Sequence, residues 1–297
     1  MQPHEAKGDQ PFKTVYQRVT EQVLAELEKG TAPWRRPWKA EFGLPRNLHS
    51  RKAYHGVNVL TLMSGALSVG YPTNYWLTFK QARELGGFVR SGEHGLPVVF
   101  YKRIPEGRSA YGTDDEAADV HWRSVLKTST VFNVSQCSGI PVPQPPRLAW
   151  QPVETAEKIV EAAGVPVFYA GAEALYEPRR DLITMPPRPT FDTVTGYYET
   201  MLHELVHATG HETRLDRPFG LRGSDIYAWE ELIAEMGSAM LSVVVGIPAP
   251  DFPNMAAYIH SWRKRMERDA QAICEAAAAA QKAVEWLFCK AGLALPE

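Results

Sequence analysis

The pentapeptide His203-Glu204-Leu205-Val206-His207 constrains this chain more than any other stretch of it. Residues four apart share a helix face, so these two imidazoles reach one metal ion if the segment is helical. The flanking residues agree with that. Met201, Leu202, Leu205 and Val206 recur at helical spacing between Tyr198 and Thr209, and Gly210 follows as a stop. The acid after the first histidine then overhangs water bound to the ion, whose pKa falls toward 7 at an open coordination position. His203 and His207 are therefore expected as metal ligands and Glu204 as the catalytic base of a metallopeptidase-type site. The expected ion is Zn²⁺ or another divalent metal such as Mn²⁺.

A third protein ligand must come from elsewhere. In chains of the pattern H-E-x-x-H-x-x-G-x-x-H it is another histidine, but that position is Thr213 here. His211 falls two residues early, where it caps or packs locally. The other solution is a glutamate on a following helix. Ala228 to Glu235 supplies one, at the head of an apolar helix that runs to Val245 and is closed by Gly246. Glu231 and Glu235 share a face, and acids on an apolar helix have to be paired or bound to metal. The expectation is Glu231 as third ligand and Glu235 as the acceptor that orients a histidine. Glu230 fits a solvated acidic first turn, although Glu230 and Glu231 could exchange roles. Tyr198 or Tyr227 is the expected oxyanion donor.

The net charge of −2 over 297 residues hides two different halves. Residues 1–140 carry 18 Lys and Arg against 13 Asp and Glu, whereas residues 141–297 carry 14 against 21. Between them lies Gly139-Ile140-Pro141-Val142-Pro143-Gln144-Pro145-Pro146, which reads as an extended linker. The expected organisation is a domain at 1–140, a linker at 141–152 and a domain at 153–297. No run of about 18 apolar residues is present, and the polar start resembles no leader, so a cytoplasmic protein without membrane contact is expected. Cys137, Cys274 and Cys289 are too few and too scattered for a disulfide framework or a zinc ribbon.

In the basic half, Val15 to Lys29 reads as an amphipathic helix stopped by Gly30. Val89 to Gly95 reads as a hairpin turn into a strand at Val98 to Arg103, and Thr130 to Val134 as another strand; Thr113 to Asp119 reads as an exposed acidic loop. Mixed helices and antiparallel strands give an α+β class. Aromatic and basic residues interleave here, the pattern of a groove in which bases stack while cations follow phosphates. The candidate platforms are Trp34, Trp38, Tyr54, Tyr75 and Trp76, and the candidate phosphate partners are Arg35, Arg36, Lys39, Lys52, Lys80, Arg90 and Lys102. Phe79, Phe100 and Phe132 are expected in the core. No motif for sequence-specific duplex readout is visible, so single-stranded DNA is the expected partner. In the acidic half, Glu154 to Ala163 reads as a helix, Val165 to Tyr169 as a strand, and Asp181 to Met185 as an edge strand that could pair with an extended peptide.

Both halves together resemble the ArdC antirestriction proteins of conjugative plasmids, over nearly the whole chain. The N-terminal part is similar to the single-stranded-DNA-binding domain of ArdC and of TraC-type primases. The matching stretches are Trp34 to Trp38, Pro45-Arg46-Asn47, Tyr54-His55-Gly56-Val57-Asn58, Trp76 to Ala82 and Gly86-Gly87. The C-terminal part resembles a zincin-like metallopeptidase domain through His203 to His211, Arg214-Leu215, Tyr227 to Glu235 and Tyr258 to Trp262. The resemblance implies DNA binding during plasmid transfer and protection of incoming DNA from restriction endonucleases. A protein substrate, restriction-related or regulatory, is a further expected partner. So is the alternative that the protein only coats DNA around a structural metal.

Overall fold

A computed structural model of the chain describes residues 14–28, 44–105, 122–141, 152–247 and 255–295. The first helix, α1 (Val15–Glu28), buries Val19, Val23 and Leu27, which recur at four-residue spacing on one face. Then follow β1 (Arg46–Asn47), α2 (Val57–Val69), β2 (Tyr75–Thr78), α3 (Phe79–Glu84), β3 (Phe88–Val89), β4 (Leu96–Pro105), β5 (Trp122–Asn133) and β6 (Cys137–Ser138). One sheet has the order β1-β2-β5-β4, with β1 parallel to β2 and the other pairs antiparallel. Asn58 ties α2 to β4 with both ends of its amide, donating to Val99 O and accepting from Val99 N at 2.8 Å each. Thr78 and Gln81 form a reciprocal cap that starts α3 directly at the end of β2.

The turn at 89–95 is not a hairpin. β3 pairs with β6 in a separate two-stranded sheet, whereas β4 pairs with β5. Side-chain bonds explain this. Arg90 donates to the carbonyls of Ser135 and Cys137, and Gln136 Nε2 reaches Glu93 Oε2 and His94 O at 2.9 Å each. The turn is thereby tied to residues 135–137 and cannot fold β3 back on β4. The expected core phenylalanines also differ: Phe79 is 50% exposed, Phe100 is 44% exposed, and Phe132 is half-buried. Phe79 is the first residue of α3, under the Arg83 guanidinium, and Phe100 lies on β4, the outer strand of its sheet.

The rest of the chain forms α4 (Pro152–Ala163), β7 (Val167–Tyr169), β8 (Leu175–Glu177), β9 (Leu182–Met185), α5 (Val194–Ala208), α6 (Asp225–Val245), α7 (Met255–Arg268) and α8 (Ala272–Lys290). The strand expected at an edge is central instead, because the order is β7-β9-β8. β9 pairs parallel with β7 and antiparallel with β8, so the free edges belong to those two strands. α5 starts four residues before Tyr198, where Thr193 caps it, its hydroxyl accepting from Gly196 N at 3.0 Å. Ser224 caps α6, and Gly246 ends it in the left-handed region at φ 80°. Gly237 lets α5 and α6 cross closely, since a Cβ there would lie 2.8 Å from Val206 Cγ1. That crossing holds Glu231 against the two histidines.

The largest buried cluster draws on both halves of the chain. Val19, Leu60 and Val99 share it with Ala156, Leu202, Leu241 and Val284. Thr20 Oγ1 donates to Ala270 O at 2.8 Å, so α1 packs with α7 and α8 across 250 residues of sequence. Ala276, Ala277, Ala280 and Ala283 on α8 are all fully buried, and their small side chains allow the close approach of α6. The expected linker falls mostly on residues 142–151 and the acidic loop on residues 106–121, both outside the described residues. Among the described residues no helix is long and apolar enough to cross a membrane.

Candidate metal centre

One turn of α5 separates His203 from His207 and sets their Nε2 atoms 3.1 Å apart. From α6, Glu231 offers Oε2 at 3.7 Å from His203 Nε2 and Oε1 at 3.6 Å from His207 Nε2. Ligands about 2.0–2.1 Å from a tetrahedral ion lie about 3.3 Å from one another, and these three edges bracket that figure. Two imidazoles and a carboxylate are also a donor set that suits a divalent ion with one position left open. Among the described residues, this is the group of His, Cys, Asp or Glu side chains that converges in this way.

The electrostatics favour a cation. Burial by itself would lower the pKa of His207, but Glu230, Glu231 and Glu204 around it push it up to about 9. Burial would raise Glu231, yet His203 and the His207 charge, with the Tyr227 hydroxyl nearby, bring it down to about 2. Glu204 is held differently. Its Oε2 accepts from the backbone N–H of Tyr176 on β8 at 2.8 Å, so an edge strand of the sheet fixes this carboxylate beside the histidines. β8 is itself anchored: the Tyr176 hydroxyl donates to Asp181 Oδ1 at 2.8 Å, and Arg214 grips Asp181 while its Nε donates to Ala208 O at 2.7 Å. His211 makes the local contact expected from its early position, with Nδ1 at 2.9 Å from Thr213 Oγ1, and the same nitrogen lies 3.9 Å from Asp181 Oδ2.

Glu230 is the main departure from the sequence reading. It is buried rather than solvated, and its Oε1 lies 3.3 Å from His207 Nδ1. Arg217 neutralises it with two bonds, Nη2 to Oε1 at 2.6 Å and Nε to Oε2 at 2.9 Å. The same guanidinium donates to Thr209 Oγ1 and to Val206 O, so it stitches the end of α5 to the start of α6. Gly210 makes room for it. This glycine is no left-handed cap; Thr209 ends the helix, and a Cβ on Gly210 would sit 3.0 Å from Arg217 Nη2 and 2.8 Å from Phe219. Glu235 lies buried one turn beyond Glu231 on α6. The acceptor that meets His207 is thus Glu230, and Arg217 is the partner that sequence spacing did not reveal. Glu230→Gln is expected to weaken metal affinity about 10- to 100-fold, because a neutral amide orients the imidazole less firmly. Competition with a fluorescent chelator measures this, and unchanged affinity would remove Glu230 from that role.

Of the two tyrosines, Tyr198 is unsuited as an oxyanion donor because its hydroxyl is committed to Glu157 on α4. Tyr227 lies one turn before Glu231 on α6, and its hydroxyl helps to hold that carboxylate in the charged form.

The expected DNA contacts divide sharply. Trp76 is fully buried, with Tyr71 packed edge-on against it, and Tyr54 is buried with its hydroxyl bonded to Asn47. Neither ring is an open stacking platform, because β2 is an interior strand and Tyr54 packs in the same core. Tyr75 is half-buried. Lys52 and Lys80 are exposed, the latter paired with Glu84. Arg90 is occupied by Glu93 and the two carbonyls described above, which makes it a clamp of the fold. Trp34, Arg35, Arg36, Trp38 and Lys39 lie outside the described residues, as does the side chain of Lys102 on β4.

A helix carrying His-Glu-x-x-His, a glutamate from the next helix and a small sheet whose edge touches the acid define a zincin-like domain. Residues 154–279 match the family model described as a zincin-like metallopeptidase, and residues 13–132 match that of the N-terminal domain of the anti-restriction factor ArdC. The chain belongs to the ArdC antirestriction family. It is 37% identical to the antirestriction protein ArdC of plasmid R388, covering 94% of this chain and 98% of that one. The TM-score is 0.79 to the metal-free crystal structure of that protein and 0.76 to its Mn(II)-bound structure. The uncharacterized protein y4eC of Sinorhizobium fredii is 36% identical over 279 residues, 92% of this chain and 91% of the relative. A DNA primase TraC of Escherichia coli is 37% identical over 298 residues, of which this chain spans only 20% of the primase's length.

Proposed function

We propose that this protein binds single-stranded DNA entering a cell, shields it from restriction endonucleases and carries a metallopeptidase centre. Residues 1–140 serve the DNA and residues 153–297 the metal. The observation that carries the second part is the triangle of His203, His207 and Glu231 with Glu204 beside it. His203, His207 and Glu231 would hold a divalent ion, Zn²⁺ or the Mn²⁺ that the R388 relative binds. When bound, such an ion supplies Lewis-acid chemistry, polarising a carbonyl and making water a nucleophile near neutral pH. Glu204 takes the proton of the attacking water and returns it to the leaving amine. The Tyr176 N–H keeps that carboxylate oriented, and Glu230 with Arg217 keeps the His207 ring in place.

For the DNA half, the support is the positive excess of residues 1–140 and the membership of the ArdC family. The place of action is the cytoplasm, where incoming DNA meets restriction enzymes. A second reading has a specific observation behind it. His203, Glu204, His207 and Glu231 are only 6%, 7%, 7% and 8% exposed, and Glu204 is already bonded by β8. A site so enclosed suits a structural ion, with protection coming from DNA coating alone.

Two measurements test the proposal. Anisotropy titrations should show single strands bound more tightly than duplex, with affinity falling as salt rises; equal or tighter duplex binding overturns the DNA part. Conjugative transfer into restricting and non-restricting recipients, with and without the gene, should show a gain confined to the restricting one. Equal transfer overturns the protective role.

A further inference from the structure

A cleft of about 700 Å³ opens between the segment after β1 and helix α8, and none of the metal centre's three ligands lines it. Its walls come from both halves of the chain, with Asn47, Tyr54, Gln81 and Phe100 on one side and Gln281 and Lys282 on the other. Such a volume falls in the range of small-molecule sites and exceeds what one nucleobase needs.

Three features set its chemistry. Phe100 is 44% exposed, with the Tyr54 ring centred 6.5 Å from its own. A large apolar ring left open at a cleft is a stacking surface. Next to it the polar wall is pre-arranged. Asn47 Nδ2 donates to Gln81 Oε1 at 2.9 Å and to the Tyr54 hydroxyl at 3.2 Å, while Asn47 Oδ1 accepts from Ser50 N at 2.9 Å. Gln81 Oε1 also accepts from Thr78 N at 2.9 Å. These bonds consume acceptors and leave donors, the Gln81 Nε2 amide and the Tyr54 O–H, which match the carbonyl and ring-nitrogen acceptors of a base edge. Finally, Lys52 and Lys282 are exposed on the lining, with His55, against the single acid Glu285. That balance suits a phosphate beside the base.

We infer that this cleft receives one unstacked nucleobase, stacked on Phe100, with its backbone phosphate held by Lys52 and Lys282. The inference rests on the single-strand reading above and gives it a location. It also makes α8, in the zincin-like half, part of the DNA surface. A free mononucleotide shares this chemistry, so the test separates it from a strand.

The 297-residue chain is titrated with labelled oligo-dT, as wild type, Phe100→Ala, Phe100→Trp and the double variant Lys52→Ala/Lys282→Ala. Loss of one stacked base is expected to weaken binding about 5- to 160-fold in Phe100→Ala, with recovery in Phe100→Trp. The double variant should lower the slope of log affinity against log salt by about 1.4, as two single-strand phosphates are released. Photocrosslinking of bromodeoxyuridine oligonucleotides to the wild type, mapped by mass spectrometry, should mark peptides of the cleft. Wild-type affinity in Phe100→Ala, with crosslinks elsewhere, overturns the cleft and leaves the single-strand reading standing. Absence of single-strand preference in the wild type overturns that reading itself. If dTMP binding is lost in Phe100→Ala while oligonucleotide binding is untouched, the cleft serves a free nucleotide and the strand assignment falls.

Discussion

His203→Ala is expected to empty the metal centre. The wild type should retain about one divalent ion per chain through dialysis, and the variant less than about a tenth of that, because a site of this class needs three protein ligands. Alanine leaves His207 Nε2 and Glu231 Oε1, 3.6 Å apart, as the remaining donors of the triangle. Loss of a ligand exceeds the 10- to 100-fold cost of losing a group that merely orients one. A second readout is thermal. Metal that binds only the folded chain raises the melting temperature as its concentration rises, so the wild type should shift with added Zn²⁺ or Mn²⁺ and the variant should not. Elemental analysis with stoichiometric metal in His203→Ala would take this histidine out of the centre.

What was readable in the sequence followed from periodicity. The histidine pair and Glu231 lie on helices whose apolar spacing is unmistakable, and Gly246 marks an end that the left-handed φ of 80° realises. Contacts made by loops were not readable in that way. Glu230 looks like any acid in a first helical turn until Arg217, from the preceding loop, arrives with two hydrogen bonds. Strand order was equally hidden. A run such as Asp181 to Met185 does not announce whether it is central or at an edge, and β9 is central because β7 and β8 flank it. The aromatic residues show the same limit. Trp76 and Phe100 both alternate on strands, but Trp76 sits on interior β2 and Phe100 on outer β4, so the ring expected outside is buried and the one expected inside is open.

Glu204→Gln is expected to remove peptide hydrolysis while leaving the metal in place. Glutamine keeps the shape and an oxygen that can accept from the Tyr176 N–H, so β8 and α5 stay where they are. The triangle of ligands contains no atom of residue 204. What disappears is the ability to take a proton, and loss of a general base costs about 10²- to 10⁴-fold in rate. The variant therefore separates two consequences of one site. Peptide turnover and metal content are read on the purified protein, and transfer into a restricting recipient is read in cells. If transfer falls with turnover while DNA affinity is unchanged, protection works through cleavage of a protein, and coating of the strand is insufficient. If transfer stays at the wild-type level, hydrolysis is dispensable for protection. The enclosed carboxylate and its edge strand then belong to the stability of the fold that carries the proposed DNA surface, since α8 packs on α6 and also lines the cleft beside Phe100.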